Sequence, residues 1–270
     1  MAAVDYPGGG ELSGAWNFRD VAELTGVAPG HFFRASELSK LDDAGRAALT
    51  TYGVTDVADL RTLRELERHG PGLVPADVEI HHLPFVETMA ADGESPHEHA
   101  FQRMMTDKPD DEPVADAAAR YMSEEYGRIA AAPLAQRAVH RVITLLGSGR
   151  TVLAHCFAGK DRTGFTIAVV LEAAGVDRDA IMADYLRSNG AVPQLRESIL
   201  ETVRARAAEA PEILELAEAR LTDSVLGVRE QYLDVARSTL DSEFGSLNGY
   251  LEASGVTDDD VARLREVLRG

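Results

Sequence analysis

Short apolar runs in the N-terminal half of the chain alternate with amphipathic stretches. Runs rich in β-branched and aromatic residues predict strands at 31–34, 54–60, 78–83 and 151–154. The stretches 42–52 and 61–69 have helical spacing, with Asp42 as an N-cap for the first and Gly53 as its stop, and Gly70 ends the second. Strands that alternate with helices predict a parallel sheet covered on both faces.

From Pro113 onward the pattern is almost entirely helical. Helical spacing predicts segments at 116–131, 134–146, 177–187, 192–208, 211–221, 224–241 and 256–268. The run 165–171 is apolar on nearly all sides, which predicts a helix buried in the middle of the domain and ended by Gly175. Residues 1–14 are small and Gly-rich and are expected to be loose.

No linker, internal repeat or composition break divides the chain, so we predict a single domain over 1–270. Its fold class is α/β, with a small central parallel sheet flanked by helices and a largely helical C-terminal half.

The run HCFAGKDRTG lies between the strand predicted at 151–154 and the buried helix. A strand, a loop of this size and a helix N-terminus form a cup, because the loop N–H groups point inward and the helix adds unpaired donors and partial positive charge. Such a cup binds a phosphate dianion and also stabilises a thiolate. We therefore expect Cys156 to be a nucleophile. The alternative is a structural core cysteine, since free cysteines are often buried.

Other side chains of the loop also suit phosphate chemistry. Arg162, six residues after Cys156, can grip two phosphate oxygens at once with its planar guanidinium. Thr163 can aim its hydroxyl at the sulfur and ease its departure in a second step. Gly159 and Gly164 let the backbone approach closely without Cβ clashes.

The loop matches the pattern HCxxGxxR[ST]G of the cysteine-dependent phosphatases. With the segments AWNFRD (15–20), FRASEL (33–38), TDVADLR (55–61) and DYLRSN (184–189), the chain resembles the tyrosine phosphatase family 3 type, the actinobacterial group of mycobacterial protein tyrosine phosphatase B. The resemblance covers nearly the whole chain. It implies a cysteine-phosphatase-like fold, a phosphocysteine intermediate and activity on phosphotyrosine, with phosphoinositides and other phosphomonoesters also accepted.

These arguments define a candidate site around Cys156 and Arg162. Residues expected to bind substrate are Phe157, Ala158, Gly159, Lys160, Thr163, Gly164 and Arg61. Ligands of parallel sheets sit beyond the carboxyl ends of the strands, which places Arg61 and Arg34 near the loop; Arg61 could equally belong to an ion-pair lattice that holds loops. Residues expected to support the site are His155, Asn17, Arg19 and Asp20.

The general acid that protonates the leaving oxygen is open between two carboxyl groups. The chain has no Trp-Pro-Asp motif, the usual source of this acid in the common tyrosine phosphatases. Asp161 lies inside the loop and is preferred. Glu87 follows a predicted strand end, at a position where the resembling family carries Asp. Lys160, a lysine within the phosphate loop, resembles the lipid-phosphatase variant of the motif and is expected to contact a second phosphate on an inositol ring.

Composition limits the classes of molecule that the chain is expected to bind. The net charge of −18 argues against nucleic acid and against long-range attraction of anionic substrates, so attraction must be local. Cys156 is the one cysteine, so no intrachain disulfide forms. No signal peptide or membrane span is apparent, which predicts a soluble chain that is cytoplasmic or exported without a conventional signal peptide. Expected partners are phosphotyrosine proteins, phosphoinositides or both, without stable membrane insertion; the oligomeric state is left open.

Two segments are candidate lids. The acidic segment 86–116 is either a mobile surface loop or a lid beside the crevice, and the segment 192–225 is either an outer layer or a helical cover, as in the resembling family. His81 and His82, or His97 and His99, raise the question of a metal. The chemistry needs neither metal nor cofactor, and we expect none.

Two other functions compete with phosphate hydrolysis. One is a catalytically weak phosphate-binding module that recognises phosphoproteins, although such modules usually lose the cysteine, the arginine or the acid, and Cys156, Arg162 and Asp161 all stand. The other is a sulfur transferase or arsenate reductase. Arsenate reduction normally needs further cysteines, and the chain has none.

Overall fold

The computed structural model of the chain describes residues 12–85, 112–206, 217 and 221–270. Predictions for residues 1–11, for 86–111 of the acidic segment and for most of the helix predicted at 211–221 lie outside the described residues. The expectation that 1–14 is loose is wrong for its last residues. Leu12 is buried, and Gly14 lies directly against the backbone of Lys40.

A five-stranded sheet forms the centre of the domain. Its strands are β1 (Arg19–Asp20), β2 (Phe32–Ala35), β3 (Asp56–Asp59), β4 (Glu79–His82) and β5 (Val152–His155). They lie in the order β1-β2-β5-β3-β4, with β2, β5, β3 and β4 parallel and β1 antiparallel to β2. Every residue of β2, β3 and β5 is buried, because helices cover both faces of the sheet. The predicted α/β class is confirmed, and the antiparallel edge strand β1 is an addition to it.

Helices supply the layers around the sheet. They are α1 (Ala22–Thr25), α2 (Asp43–Thr51), α3 (Leu63–His69), α4 (Val114–Ala131), α5 (Pro133–Gly147), α6 (Asp161–Ala173), α7 (Arg178–Arg187), α8 (Val192–Arg206), α9 (Asp223–Leu226), α10 (Glu230–Phe244), α11 (Leu247–Ala253) and α12 (Asp258–Arg269). The predicted cap and stop of α2 are confirmed: the Asp42 side chain accepts from the Gly45 N–H, and Gly53 has a φ of +71°.

Alternate strand residues bury two separate cores, as the pleat of a strand requires. Phe32 and Val152 face the larger core, which includes α4, α5, α6 and α10 to α12. Their neighbours Phe33 and Leu153 face a smaller core with α2. In the described part of the chain, no helix is long and apolar enough to cross a membrane.

The helix predicted at 224–241 is wrong as a single element. The chain forms α9, breaks at Gly227 and starts again as α10. The side chain of Asn189 causes the break: its Oδ1 accepts from the Val228 N–H at 2.7 Å and its Nδ2 donates to the Val228 carbonyl at 3.1 Å. Both backbone groups of Val228 are thus paired outside a helix. The helix α11 was not predicted.

The buried helix α6 starts at Asp161, four residues before the apolar run 165–171 that predicted it. Its first turn therefore carries Asp161, Arg162 and Thr163, so the phosphate-sized loop is closed by the helix N-terminus itself. Gly175 follows its C-terminus with a φ of +80°, the left-handed conformation that was expected there.

Candidate active site

The loop that joins β5 to α6 lies at the carboxyl end of the sheet. Three parallel strands end side by side there, with Ala35 of β2 and Asp59 of β3 each in register with His155 of β5. Cys156 follows directly, and its side chain is only 2% exposed. The central position of β5 in the sheet fixes the start of the loop from both sides.

Hydrogen bonds turn the carbonyl groups of the loop outward. The carbonyl of Phe157 accepts from the Glu37 N–H at 3.0 Å. Asn17 Nδ2 donates to the carbonyls of residues 158 and 159 at 3.2 and 2.9 Å, and Arg34 Nη2 donates to the second of these at 2.6 Å. In a trans peptide the N–H points away from the carbonyl, so the N–H groups of 158–160 face the inside of the loop. This orientation supports the expected anion cup.

A buried ion-pair lattice supports the loop from behind. Arg19 and Arg34 both bind the carboxylate of Asp184, at 2.7 and 2.5 Å, and both donate to Ser188 Oγ. Arg19 also donates to Asn17 Oδ1 at 2.6 Å, which orients the amide of Asn17 toward the loop. Burial and the neighbouring Arg34 lower the pKa of Arg19 to about 10, while Asp184 opposes the shift. Asn17 and Arg19 thus act on the loop, one directly and one through its neighbour.

Asp20 lies at a different place. Its two carboxylate oxygens accept from the N–H groups of Ala22 and Gly30, at 2.8 and 2.6 Å. These bonds fix the turn between β1 and β2, and burial raises the pKa of Asp20. The structure therefore gives Asp20 a role in this turn, with no hydrogen bond to the loop itself among the described residues.

Two glycines allow the loop to approach its neighbours. Gly159 has a φ of +63°, and a Cβ there would lie 2.1 Å from the Ala35 carbonyl oxygen. A Cβ on Gly164 would lie 2.8 Å from the ring of Tyr185. A side chain at either position would displace the loop or its support.

Arg162 is held by Glu65, a residue that the sequence did not single out. Glu65 accepts from Arg162 Nη1 at 2.5 Å and from Nη2 at 2.7 Å, and Nη1 also donates to the Leu60 carbonyl at 3.1 Å. A guanidinium has five N–H donors, so these three bonds leave two, on Nε and Nη2. The Nε atom is buried and has no partner among the residues that the structure describes. The unused edge suits a bidentate contact with a tetrahedral anion.

Glu65 is itself fixed by a capping box at the start of α3. The Thr62 side chain accepts from the Glu65 N–H at 3.2 Å, and the Glu65 carboxylate accepts from the Thr62 N–H at 2.7 Å. Burial alone would lower the pKa of Arg162, but the charge of Glu65 outweighs it and raises that pKa. The Thr-x-x-Glu pattern at 62–65 could have predicted the cap, but not the arginine that the carboxylate binds.

His155 is fully buried beneath Cys156. Its Nδ1 lies 3.2 Å from the Cys156 carbonyl oxygen, so the Nδ1–H donates to the backbone of the loop. Its Nε2 is 3.6 Å from Asp59 Oδ1, too far for a hydrogen bond. Burial lowers the pKa of His155, which keeps the ring neutral. Thr163 Oγ1 is also buried and has no hydrogen-bond partner among the described residues, so no bond to the sulfur is formed.

Asp161 contacts two neighbours through one oxygen. Its Oδ1 accepts from the hydroxyl of Tyr126 at 3.0 Å and lies 3.6 Å from Lys160 Nζ. The Tyr126 hydroxyl in turn accepts from the hydroxyl of Tyr185 at 2.6 Å. Glu87, the alternative acid, lies outside the described residues.

Lys160 is engaged by the C-terminal half of the chain. Its Nζ donates to the Leu226 carbonyl of α9 at 2.5 Å, and the residue is 2% exposed. Phe157 and Ala158 pack against apolar side chains of α8 and of the segment around α9, including Leu195. Residues 157, 158 and 160 of the loop are therefore covered by α8 and the segment around α9 in this structure.

Arg61 lies apart from the cup, in its own ion-pair network. Its side chain donates to both oxygens of Asp59, to Glu37 Oε2 at 3.3 Å and to the Gly70 carbonyl at 3.2 Å. All three nitrogens of the guanidinium are thus bound inside the protein. These contacts favour the alternative of an ion-pair lattice, and substrate contact by Arg61 stays a prediction.

One group of described residues has the spacing of metal ligands: Asp56, Glu79 and His81. It lies at the opposite end of β3 and β4 from the loop. The Asp56 carboxylate already accepts from Thr55 Oγ1 and Arg150 Nε, at 2.7 and 2.6 Å, and lies 2.7 Å from His81 Nε2. This carboxylate therefore serves as an ion-pair centre, and the group adds nothing to the candidate site.

Comparison with known proteins agrees with this geometry. A model of the tyrosine phosphatase family matches residues 10–270. The triple specificity protein phosphatase PtpB of Mycobacterium tuberculosis is 54% identical over 272 residues, which cover 96% of this chain and 99% of that protein. A putative tyrosine-protein phosphatase of Cupriavidus necator is 42% identical over 117 residues, 43% of this chain and 39% of that protein. A tyrosine-protein phosphatase of Nostoc commune is 28% identical over 244 residues, 89% of this chain and 75% of that protein. The chain therefore belongs to the tyrosine phosphatase family and is a protein-tyrosine phosphatase.

Proposed function

We propose that the chain hydrolyses phosphotyrosine and further phosphomonoesters through a phosphocysteine on Cys156. The observation that carries this proposal is the pairing of an anion cup with the unused edge of Arg162, next to the only cysteine thiol of the chain. The three non-bridging oxygens of the phosphoryl group would accept from the N–H groups of 158–160 and from Arg162. Charge spreads over these oxygens in the transition state, so donors that are already oriented stabilise it.

The first step transfers the phosphoryl group to the enzyme. The Cys156 thiolate attacks phosphorus in line; the S–P bond forms as the bond to the ester oxygen breaks. The leaving oxygen takes a proton from Asp161. In the second step water attacks the phosphocysteine, its proton passes to the Asp161 carboxylate, and the S–P bond breaks to return the thiolate and release phosphate. No metal or cofactor is needed in either step.

Asp161 is the proposed acid because it lies in the first turn of α6, one residue before Arg162. Glu87 remains the alternative. The kcat of Asp161→Asn and Glu87→Gln, measured against pH, distinguishes them: we expect the activity loss at high pH to disappear only in Asp161→Asn. Disappearance of that loss only in Glu87→Gln would make Glu87 the acid.

Substrate range beyond phosphotyrosine rests on Lys160 and on the relative named a triple specificity phosphatase. We propose that Lys160 contacts a second phosphate of phosphoinositides, for which it must exchange the Leu226 carbonyl for the ligand. Lys160→Ala should then lower phosphoinositide turnover more than phosphotyrosine turnover. Equal losses on both substrates would exclude the selective role.

We also propose that α8 and the segment around α9 are a cover that must move before substrate enters. Cys156, Lys160 and Arg162 are each 2% exposed, and the apolar contacts of Phe157 and Ala158 hold these elements over the loop. A phosphotyrosine side chain cannot reach a sulfur buried to this extent.

The decisive experiment compares wild type with Cys156→Ser on an aryl phosphate, a phosphotyrosine peptide and phosphoinositide vesicles under reducing conditions. We expect turnover that vanishes in Cys156→Ser while inorganic phosphate still binds. If the wild type binds phosphate but turns over none of the three substrates, the chain is a phosphate-binding module. Ratios among the three substrates define the specificity.

A further inference from the structure

Two buried tyrosines form a hydrogen-bond chain that ends on Asp161. Tyr126 of α4 and Tyr185 of α7 are 0% and 1% exposed. The Tyr185 hydroxyl donates to the Tyr126 oxygen at 2.6 Å, and the Tyr126 hydroxyl donates to Asp161 Oδ1 at 3.0 Å. Three helices that are distant in sequence thus meet at one carboxyl group of the phosphate loop.

The two hydrogen bonds run in one direction, from Tyr185 through Tyr126 to Asp161. An ionised carboxylate only accepts, so Tyr126 must donate to Asp161 and its own oxygen is then free to accept from Tyr185. Burial raises the pKa of both phenols well above 10, so both hydroxyls stay protonated and remain donors at neutral pH. Each bond polarises the next, which strengthens the contact at the carboxylate.

We propose that Tyr126 and Tyr185 are positioning residues for proton transfer by Asp161. Their chain fixes Oδ1 and stabilises the carboxylate that forms once the leaving group has taken the proton. Among the residues that the structure describes, none donates to Oδ2, so that oxygen remains for the transfer itself. This inference rests on the proposed role of Asp161 as the acid.

Among the described residues, the other charged and titratable groups near Asp161 include Lys160, Arg162 and Tyr232. Lys160 lies 3.6 Å from Oδ1, and the charge of Arg162 also acts on Asp161. Tyr232 of α10 packs on Tyr126 with ring centroids 5.4 Å apart, but its hydroxyl has no hydrogen-bond partner among the described residues. The two cations remain in place when a tyrosine hydroxyl is removed. Tyr232 supplies a matched control, since its hydroxyl is buried beside the chain without belonging to it.

The test uses Tyr126→Phe, Tyr185→Phe and the control Tyr232→Phe, with kcat measured against pH on phenyl phosphate and p-nitrophenyl phosphate. Loss of a hydroxyl that donates to a carboxylate favours the protonated acid, so the fall of kcat at high pH should move to higher pH by roughly one unit in Tyr126→Phe, and by less in Tyr185→Phe. A misplaced acid matters most for the poorer leaving group. We therefore expect a loss of roughly tenfold or more for phenyl phosphate and a smaller loss for p-nitrophenyl phosphate.

Tyr232→Phe should match wild type both in the pH dependence of kcat and in kcat for the two esters. Equal losses of kcat for the two esters in Tyr126→Phe, with no displacement of the pH profile, would mean a merely structural role and would overturn the inference. Asp161→Asn, measured alongside, separates the assignment of Asp161 as the acid from the role of the two tyrosines. If it keeps the fall at high pH, the acid assignment and the tyrosine chain both fail; if it loses the fall while Tyr126→Phe leaves it in place, only the tyrosine chain fails.

Discussion

Replacing Glu65 by Gln tests whether the grip of Arg162 on phosphate depends on a residue of another helix. The substitution keeps the size of the side chain and one carbonyl oxygen but removes the negative charge. One of the two oxygens that accept from Arg162, at 2.5 and 2.7 Å, is replaced by an NH₂ group that cannot accept. The guanidinium then loses one of its two contacts with residue 65, and we expect its unused edge to be held less firmly.

The size of the effect follows from burial. The side chains of Arg162 and Glu65 are 2% and 3% exposed, so the lost bond is a charge-assisted one with little water to replace it. Such a bond contributes about 1.5–3 kcal/mol. Full loss of a buried ion-pair partner costs about 3–5 kcal/mol. Because Gln retains one acceptor, we expect the free energy of unfolding to fall by about 2–3 kcal/mol.

If the same bond orients Arg162 in the transition state, kcat/KM should fall by roughly ten- to a hundredfold, at 1.36 kcal/mol for each factor of ten. The assay combines urea unfolding with steady-state turnover of an aryl phosphate and inhibition by inorganic phosphate, at a temperature where the variant is fully folded. We expect the inhibition constant for phosphate to rise together with the loss in kcat/KM.

Thr62→Ala is the matched control within the same capping box. It removes the acceptor of the Glu65 N–H, at a cost of about 1 kcal/mol, and leaves the carboxylate on Arg162. Its kcat/KM should stay within about twofold of wild type. If Glu65→Gln loses stability but turns over substrate as fast as Thr62→Ala, Glu65 does not orient Arg162 and the reasoning is refuted.

Three other substitutions test the loop, its buried histidine and its cover. Gly159→Ala puts a Cβ 2.1 Å from the Ala35 carbonyl oxygen. We therefore expect the free energy of unfolding, measured with urea, to fall by about 1–3 kcal/mol and kcat to be at least tenfold lower. Burial lowers the pKa of His155, so below about pH 6.5 the unfolded chain binds a proton that the folded chain does not, and the free energy of unfolding falls as pH drops. His155→Asn should therefore flatten the decline in the urea midpoint between about pH 7 and 5. An unchanged decline would contradict this reasoning. Leu195→Ala should expose the sulfur and speed its alkylation by iodoacetamide about tenfold or more, whereas Leu49→Ala in the smaller core should not; equal rates would argue against a cover.

Elements that depend on near neighbours in the chain could be predicted from the sequence. The strand before Cys156, the loop of fixed length and the helix after it follow from composition over a few residues. The ends of α2 and α6 follow from Asp42, Gly53 and Gly175, since a cap or a left-handed glycine acts within one turn. Cys156 and Arg162 lie six residues apart in one motif, so their chemistry could be predicted before the fold was known.

The errors occur where a distant side chain overrides local preference. The segment 224–241 has helical spacing throughout, yet Asn189 binds both backbone groups of Val228 from 39 residues away and breaks it. The predicted substrate contact of Arg61 is not tested and stays a prediction, although its guanidinium already has partners inside the protein. Its donors bind Asp59, Glu37 and the Gly70 carbonyl, and these partners meet only in the folded sheet.

The sequence by itself therefore indicated the family, through motifs spread over the chain, and predicted the nucleophile and the phosphate loop, because that loop consists of contiguous residues whose backbone geometry is local. Only the tertiary structure decided which groups hold that loop in place. Glu65 binds Arg162 across 97 residues, Asn17 binds Gly159 across 142, and Leu226 binds Lys160 across 66. The physical reason is that a buried donor or acceptor must find a partner wherever the packed elements bring one, and sequence periodicity predicts the elements without fixing which side chains meet.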